Sequence, residues 1–371
     1  MRNGTAIARR AFLARAGAAL LIGAAPARAF GRDRRAGQIE DASRSVGTGA
    51  ADRLLEEFTR ASRVTDLSVS VMRGETPLYQ RHFGTFGPDT IINIASASKW
   101  LAGATAMALV AEGRLKLDAS ISSYVPELPP DYARLRLDQL LSFTAGLPSL
   151  KEALDIRQPR FIRLTRSAQL AAREPLASMP GTQFDYGGAN LQFIGAAVEE
   201  VTGMRWQAVF DSRIGAPLGM RNTLWGRGFW SPRRALLPAN PLLQSGAWTT
   251  IDDYAAFLTM IAQNGLYRDR TVLPKAAVER MAIVMTAGLK RGYVPPGAQG
   301  KPTEYALAHW CERTAKGRCT FESSPGAWGT YPWIDRAKGL HGIIFLKDRL
   351  QRIADQGRTL RDGLIRLFAE A

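Results

Sequence analysis

Ser96-Ala97-Ser98-Lys99 sets a hydroxyl and an amine three residues apart. Residues three apart share a helix face, so Ser96 Oγ and Lys99 Nζ can meet. Such a pair suits acyl transfer, with the serine as nucleophile and the lysine as its base. Lys99 can take the serine proton only if it is neutral part of the time. Burial or a neighbouring cation promotes that state, and a buried phenol can share the proton. A helix start also supplies N–H groups that favour developing negative charge. S-x-x-K alone is weak, because so short a motif also arises by chance. Its other reading is an exposed serine at a helix start beside a solvated lysine. No G-x-S-x-G elbow is present, and three scattered His (82, 309, 341) give a Ser-His-Asp triad little support.

The pair needs a helix to hold it. Ile91 to Ala95 leads into an Ala-rich segment, about 97–112, which stops at Gly113. Helical spacing also marks 51–63, 136–143, 189–202, 252–264 and 274–285, and an amphipathic segment runs from about Asp348 to the end. Alternation at 67–71, a turn at 73–75 and a return over 78–83 predict a hairpin, and strand-like runs reappear at 304–310, 318–323 and 339–346. Strands near both ends with a helical middle predict an α/β fold of the α+β type. One antiparallel sheet would be flanked by the terminal helices and interrupted by an inserted, mostly helical subdomain.

Composition limits the alternatives. Of 371 residues 46% are hydrophobic, so long intrinsic disorder is excluded. Two Cys and three His without an HExxH spacing make a metal site improbable, and no cofactor is expected. The formal charge is +16, which raises nucleic-acid binding. No helix-turn-helix, zinc-finger or RNP pattern supports it. Part of the charge has another source. Arg9-Arg10 precedes the apolar stretch 16–25 and Ala27-Arg28-Ala29, the order of an export signal with a cleavage site. Residues 1–29 are therefore expected to be a twin-arginine signal, and 30–50 a flexible linker. The catalytic domain would span 51–371, in the periplasm or secreted. The mature chain would carry +11, the +16 of the whole less five Arg. No later stretch is long and apolar enough to anchor it in a membrane. Its oligomeric state is not legible.

Ordered motifs then carry a resemblance. Ile94 to Lys99 is followed by Gly113-Arg114-Leu115-Lys116-Leu117-Asp118 and Val125-Pro126-Glu127-Leu128. Leu140 to Leu147, Phe184-Asp185-Tyr186 and Thr249 to Tyr254 come next. In that order they resemble the serine β-lactamase and penicillin-binding-protein superfamily, in the branch of class C β-lactamases, family VIII esterases and DD-peptidases. The resemblance implies that Ser96 is acylated, that Lys99 is its base and that Tyr186 shuttles the proton to the leaving group. Otherwise Tyr186 is a structural aromatic in a Gly-rich turn. The oxyanion hole would be the N–H groups of Ser96 and of Ala327 on a late strand.

This chain departs from the pattern in three places. Phe143 stands where the family usually has His. Where the family carries K-T-G or H-x-G, Ser323 to Gly329 is the best match, with Ser324 in place of the cation and Gly326 retained. Where Y-x-N would place Asn, Gly188 stands, and Asn190 either reaches the cleft or caps its helix. Ser324, Gly326, Trp328 and Asn190 are the candidate substrate contacts. Trp328, Tyr331, Trp333 and Trp225 either line an apolar acyl pocket or belong to the core. Cys311 and Cys319 either form a disulfide, which export would permit, or stay as thiols.

A neutral Ser324 weakens the case for an efficient β-lactamase and leaves ester or peptide-like amide hydrolysis open. The substrate would be a small ester, an amide or a peptidoglycan peptide. The alternative is a catalytically weakened envelope protein that binds peptidoglycan peptides or a partner.

Overall fold

The computed structural model describes residues 48–149, 158–227, 231–301 and 303–370. The expected signal and nearly all of the expected linker lie outside the described residues. The first described helix, α1, is Thr48–Ser62, three residues longer at its start than the spacing predicts. Ala51, Leu55, Phe58 and Ser62 recur on its buried face, as a helix with one apolar stripe requires.

The hairpin forms as expected. β1 (Leu67–Arg73) pairs with β2 (Thr76–Phe83), with a register shift at Val71/Met72. The late strands are β3 (Glu304–Tyr305), β4 (Trp310–Ala315), β5 (Arg318–Ser323), β6 (Tyr331–Asp335) and β7 (Leu340–Leu346). The sheet order is β3-β4-β5-β6-β7-β1-β2, antiparallel throughout. The run read as one strand over 304–310 is a tight turn between β3 and β4, with Ala308 at φ 67. β6 has no counterpart in the sequence reading. Each of its residues is buried, so it shows no alternation to find.

Both faces of the sheet are covered. Along β7, Leu340, Ile344 and Leu346 join the core beneath α1 and the last helix, α5 (Leu350–Ala369). Ile343 and Phe345 point to the other core, shared with the helices between β2 and β3. At the centre of that second layer is α2 (Ser98–Ala111), buried all round over Ser98–Leu109. Its small side chains let neighbours approach closely: a Cβ on Gly103 would lie 2.7 Å from Ala308 Cβ. Two further helices matter for the site, α3 (Asn190–Thr202) and α4 (Ile251–Ala262). The predicted helices over 136–143 and 274–285 are shorter, Leu137–Leu141 and Lys275–Met281.

Cys311 on β4 and Cys319 on β5 are bonded, with Cα atoms 5.1 Å apart, within the range that a disulfide spans. Beside them His309 Nε2 lies 3.0 Å from Glu322 Oε2, and Arg336 pairs with the other carboxylate oxygen at 2.5 Å. Burial alone would raise the Glu322 carboxyl. Arg336 and His309 more than offset that and hold it at about 2. The cluster fixes β4 to β5 just before the strand-motif residues. Replacing both cysteines with serine is expected to lower the unfolding free energy by about 2–3 kcal/mol, the value for so short a loop. Denaturant melts of the oxidised wild type and the double variant would measure it, and coincident curves would exclude a stabilising bond.

Candidate active site

Short strands deliver Ser96, the candidate nucleophile. Ile92–Asn93 pairs with Ala247–Thr249, which pairs in turn with Leu224–Trp225. Ile94 N–H then donates to the Ala247 carbonyl at 3.1 Å. Ala95 takes φ 45, a left-handed conformation that costs about 1 kcal/mol or more outside Gly. Asn93 holds it there: its Oδ1 accepts the Ala95 N–H at 3.0 Å, and its Nδ2 donates to the Ser245 carbonyl at 3.1 Å. Ser96 follows in a 3-10 turn, Ala95–Ala97, that runs into α2. N–H groups in such a first turn have no intrahelical acceptor and point toward any oxygen bound before them.

α2 is anchored twice more near this point. Ser98 Oγ accepts the Ala247 N–H at 3.0 Å, and the buried Tyr254 hydroxyl on α4 donates to the Ala97 carbonyl at 2.9 Å. The segment expected to start α4 does so, with Thr250 at the N-cap accepting the Asp253 N–H.

The reactive pair meets. Lys99 Nζ lies 3.0 Å from Ser96 Oγ and also donates to the Gln244 carbonyl at 2.9 Å. Lys99 is 1% exposed and Ser96 9%, which removes the reading of a solvated surface pair. Tyr186 completes the group, with Lys99 Nζ 4.7 Å from its ring centroid. Burial pushes the Tyr186 phenol well above its ordinary range, and hydrogen bonds with the Ser96 and Trp310 side chains only partly oppose this. Tyr186 therefore rests protonated at neutral pH. Trp310 stacks on it at 5.2 Å and Phe143 meets it edge-on at 5.4 Å, so the residue in the family's usual His position is part of the aromatic wall behind the phenol.

The departures at the Y-x-N and strand motifs have physical reasons. Gly188 takes φ +66, and a Cβ there would sit 2.0 Å from the Pro148 carbonyl oxygen, so this turn has no room for the Asn of Y-x-N. Asn190 does not replace it. It is the first residue of α3, 1% exposed, and its Nδ2 donates to the Gly187 carbonyl at 2.6 Å. It neither reaches the cleft nor serves as the N-cap acceptor, and instead braces the Gly-rich turn that carries Tyr186.

On the late strand, Ser324 Oγ donates to the Ser96 main-chain carbonyl at 3.3 Å. The residue in the family's cation position thus braces the Ser96 backbone. Gly326 is fixed by contact, because a Cβ would lie 2.2 Å from the Ile94 carbonyl oxygen. That approach lays the strand end against the nucleophile turn and brings Ala327, which is exposed, to the next position. Gly326→Ala is expected to lower ester kcat/KM by about a hundredfold, the scale of one lost oxyanion donor. Retention of more than half the wild-type rate would show that the approach is unimportant.

The aromatic quartet does not assemble. Trp225 packs edge-on to Trp206 at 5.3 Å, and Trp333 stacks near Phe321 at 6.3 Å in the opposite core. Tyr331 donates to Glu312 at 2.8 Å, and Trp328 is half-buried. Sequence reasoning missed Gln244, whose contribution is a main-chain carbonyl and leaves no side-chain signal. It also missed Asn93, although the residue lies in the segment that leads into the motif.

Comparison with known proteins now decides the family. The Beta-lactamase family profile matches residues 51–362. The chain belongs to the Beta-lactamase family. Its fold is that of the β-lactamase-related serine hydrolases. A putative beta-lactamase from Bacteroides dorei superposes with a TM-score of 0.74 at 25% identity, covering 85% of this chain and 98% of that one. EstCE1, described as a hydrolase with promiscuous acyltransferase activity, has the same fold, with a TM-score of 0.70 at 17% identity over 88% of this chain and all of that one. Among curated proteins, Esterase EstB of Burkholderia gladioli is 28% identical over 216 residues, half of this chain and 53% of EstB. The match thus spans about half of that relative's length.

Proposed function

We propose that this Beta-lactamase family member is an exported serine hydrolase that works through an acyl-Ser96 intermediate on an ester or a peptide-like amide. The observation that carries the reading is the buried Ser96–Lys99 contact of 3.0 Å beside a protonated Tyr186. Lys99 takes the proton as Ser96 Oγ attacks the substrate carbonyl. The N–H groups of Ser96 and Ala327 hold the oxyanion. Tyr186 gives its proton to the leaving alcohol or amine and takes one back from Lys99. Water then attacks the acyl carbonyl and loses a proton to the same pair, which hands a proton to Ser96 Oγ as the acid leaves.

Esterase or DD-peptidase-like activity ranks above efficient β-lactam hydrolysis, because Ser324 supplies no cation. The EstB match supports the esterase side. Export rests on the twin-arginine order of residues 9–29. Among the described residues no helix is long and apolar enough to cross a membrane, which fits an exported chain without adding to the case.

The test is intact mass after a fluorophosphonate and, separately, a penicillin. The reading expects an adduct that disappears in Ser96→Ala. No adduct with either reagent, and no hydrolysis of p-nitrophenyl esters, would favour the weakened binding protein that the Ser324 and Gly188 departures allow.

A further inference from the structure

His309 and Glu322 meet beside the Cys311–Cys319 bond, and all four side chains are buried. One nitrogen of His309 and the two Sγ atoms lie within 4.8 Å of one another. Cys319 Sγ is 3.9 Å from His309 Nε2, and Glu322 Oε2 is 3.0 Å from the same nitrogen. The proposed acyl transfer uses none of the four. No linear spacing announces the set, because the β4–β5 hairpin and the turn before it bring the side chains together.

These separations suit a four-coordinate cation. Zinc binds sulfur at about 2.3 Å and nitrogen or oxygen at about 2.0–2.2 Å, so neighbouring ligand atoms stand about 3.3–3.8 Å apart. Only the two sulfurs must part, which the dithiol form allows. Cysteines begin as thiols and stay so in a reducing cytosol.

The surroundings are those of a metal ligand set. His309 Nδ1 donates to the Leu307 carbonyl at 3.1 Å, and the ring stacks on Trp100 at 4.9 Å. Metal-bound histidines carry such an outer hydrogen bond, which turns the second nitrogen to the ion. Glu322 keeps its other oxygen on Arg336 at 2.5 Å. Ala282 and Ala306 pack with both cysteines and keep the place closed, as in zinc sites without a catalytic role. Two thiolates and an imidazole favour zinc over magnesium or calcium. With one carboxylate the complex carries a single negative charge, which Arg336 balances.

We propose that the dithiol form of this chain binds one zinc ion through His309 Nε2, Cys311 Sγ, Cys319 Sγ and Glu322 Oε2. Binding releases the two thiol protons and the proton that joins Nε2 to Glu322. The ion and the disulfide exclude one another, because the S–S bond uses both sulfurs. Each ties β4 to β5, the ion in the dithiol form and the disulfide in the oxidised one. The site does not depend on the acyl-Ser96 reading.

Cobalt is the probe, because tetrahedral Co2+ absorbs in the visible and thiolate ligands add a charge-transfer band. Protein reduced with a phosphine and given one equivalent of Co2+ is expected to show both features, and Zn2+ to displace them. Oxidised protein is expected to show neither. Because the side chains are buried, the same readings are taken after the reduced chain refolds from denaturant with metal present. Zinc affinity, read by competition with a chromogenic chelator, is expected to fall at least tenfold in His309→Gln and in Cys311→Ser/Cys319→Ser. Circular dichroism checks the fold of each form. Folded, reduced protein without these bands by either route would overturn the site. So would bands that persist in the double serine variant, equal spectra before and after reduction, or a reduced chain that fails to fold even with metal present.

Discussion

Ser96→Ala is expected to lower kcat on p-nitrophenyl esters by about four orders of magnitude or more, with little change in KM. The size follows from what is removed. Without Oγ no acyl-enzyme forms, and Lys99 and Tyr186 have no proton to move. Members of a catalytic unit fail together, and what survives is the residual catalysis of oxyanion donors and binding alone. The substitution removes one oxygen at a 9%-exposed position and leaves the turn fixed by Asn93 and Ala247. A melting temperature close to wild type is therefore expected beside the lost activity. Steady-state kinetics would read it, and a residual rate above about one per cent would require another nucleophile.

Lys99→Met carries the second large effect. Methionine nearly matches the lysine stem in volume, so the core around α2 stays filled while the amine goes. The Ser96 hydroxyl loses its 3.0 Å partner and the Gln244 carbonyl its 2.9 Å donor. The first loss is expected to cut kcat by about a thousandfold, within the range for a positioned base. The second removes one buried hydrogen bond and costs about 1 kcal/mol of stability. The double variant with Ser96→Ala should be no slower than Ser96→Ala alone, because the two residues act as one device. A Lys99→Met rate within tenfold of wild type would remove Lys99 from the mechanism. Strictly additive losses in the double variant would separate the two roles.

Much of this candidate site could be read from one sequence because its proposed chemistry lies in side chains within short motifs, Ser96 and Lys99 at helical spacing. Ser96, Lys99 and Tyr186 meet where their motifs place them, and the terminal helices and strands fall close to where periodicity sets them. What stayed hidden lacks such a signal. The Lys99 acceptor is a main-chain carbonyl. β6 is buried on both faces and so loses alternation. The role of Ser324 depends on an approach set by Gly326 against Ile94, 232 positions earlier in the numbering. Trp225 and Trp333, candidates for one pocket by residue type, are divided between two cores that only the sheet separates.

The pairing of β1 with β7 has a consequence for biosynthesis. Leu67 pairs across with Leu346, so the edge that β1 turns toward β7 stays open until the ribosome has translated some 280 further residues. Contacts this distant in sequence make closure late and slow. A nascent chain can assemble the helices that carry Ser96, yet the strand end at Gly326 and Ala327 is translated 230 residues after Ser96. The proposed acyl-transfer centre is therefore complete only after Ala327 has left the ribosome. An export route that moves folded proteins would suit such a chain, because one threaded out unfolded would have to protect an unpaired β1 edge on the far side of the membrane.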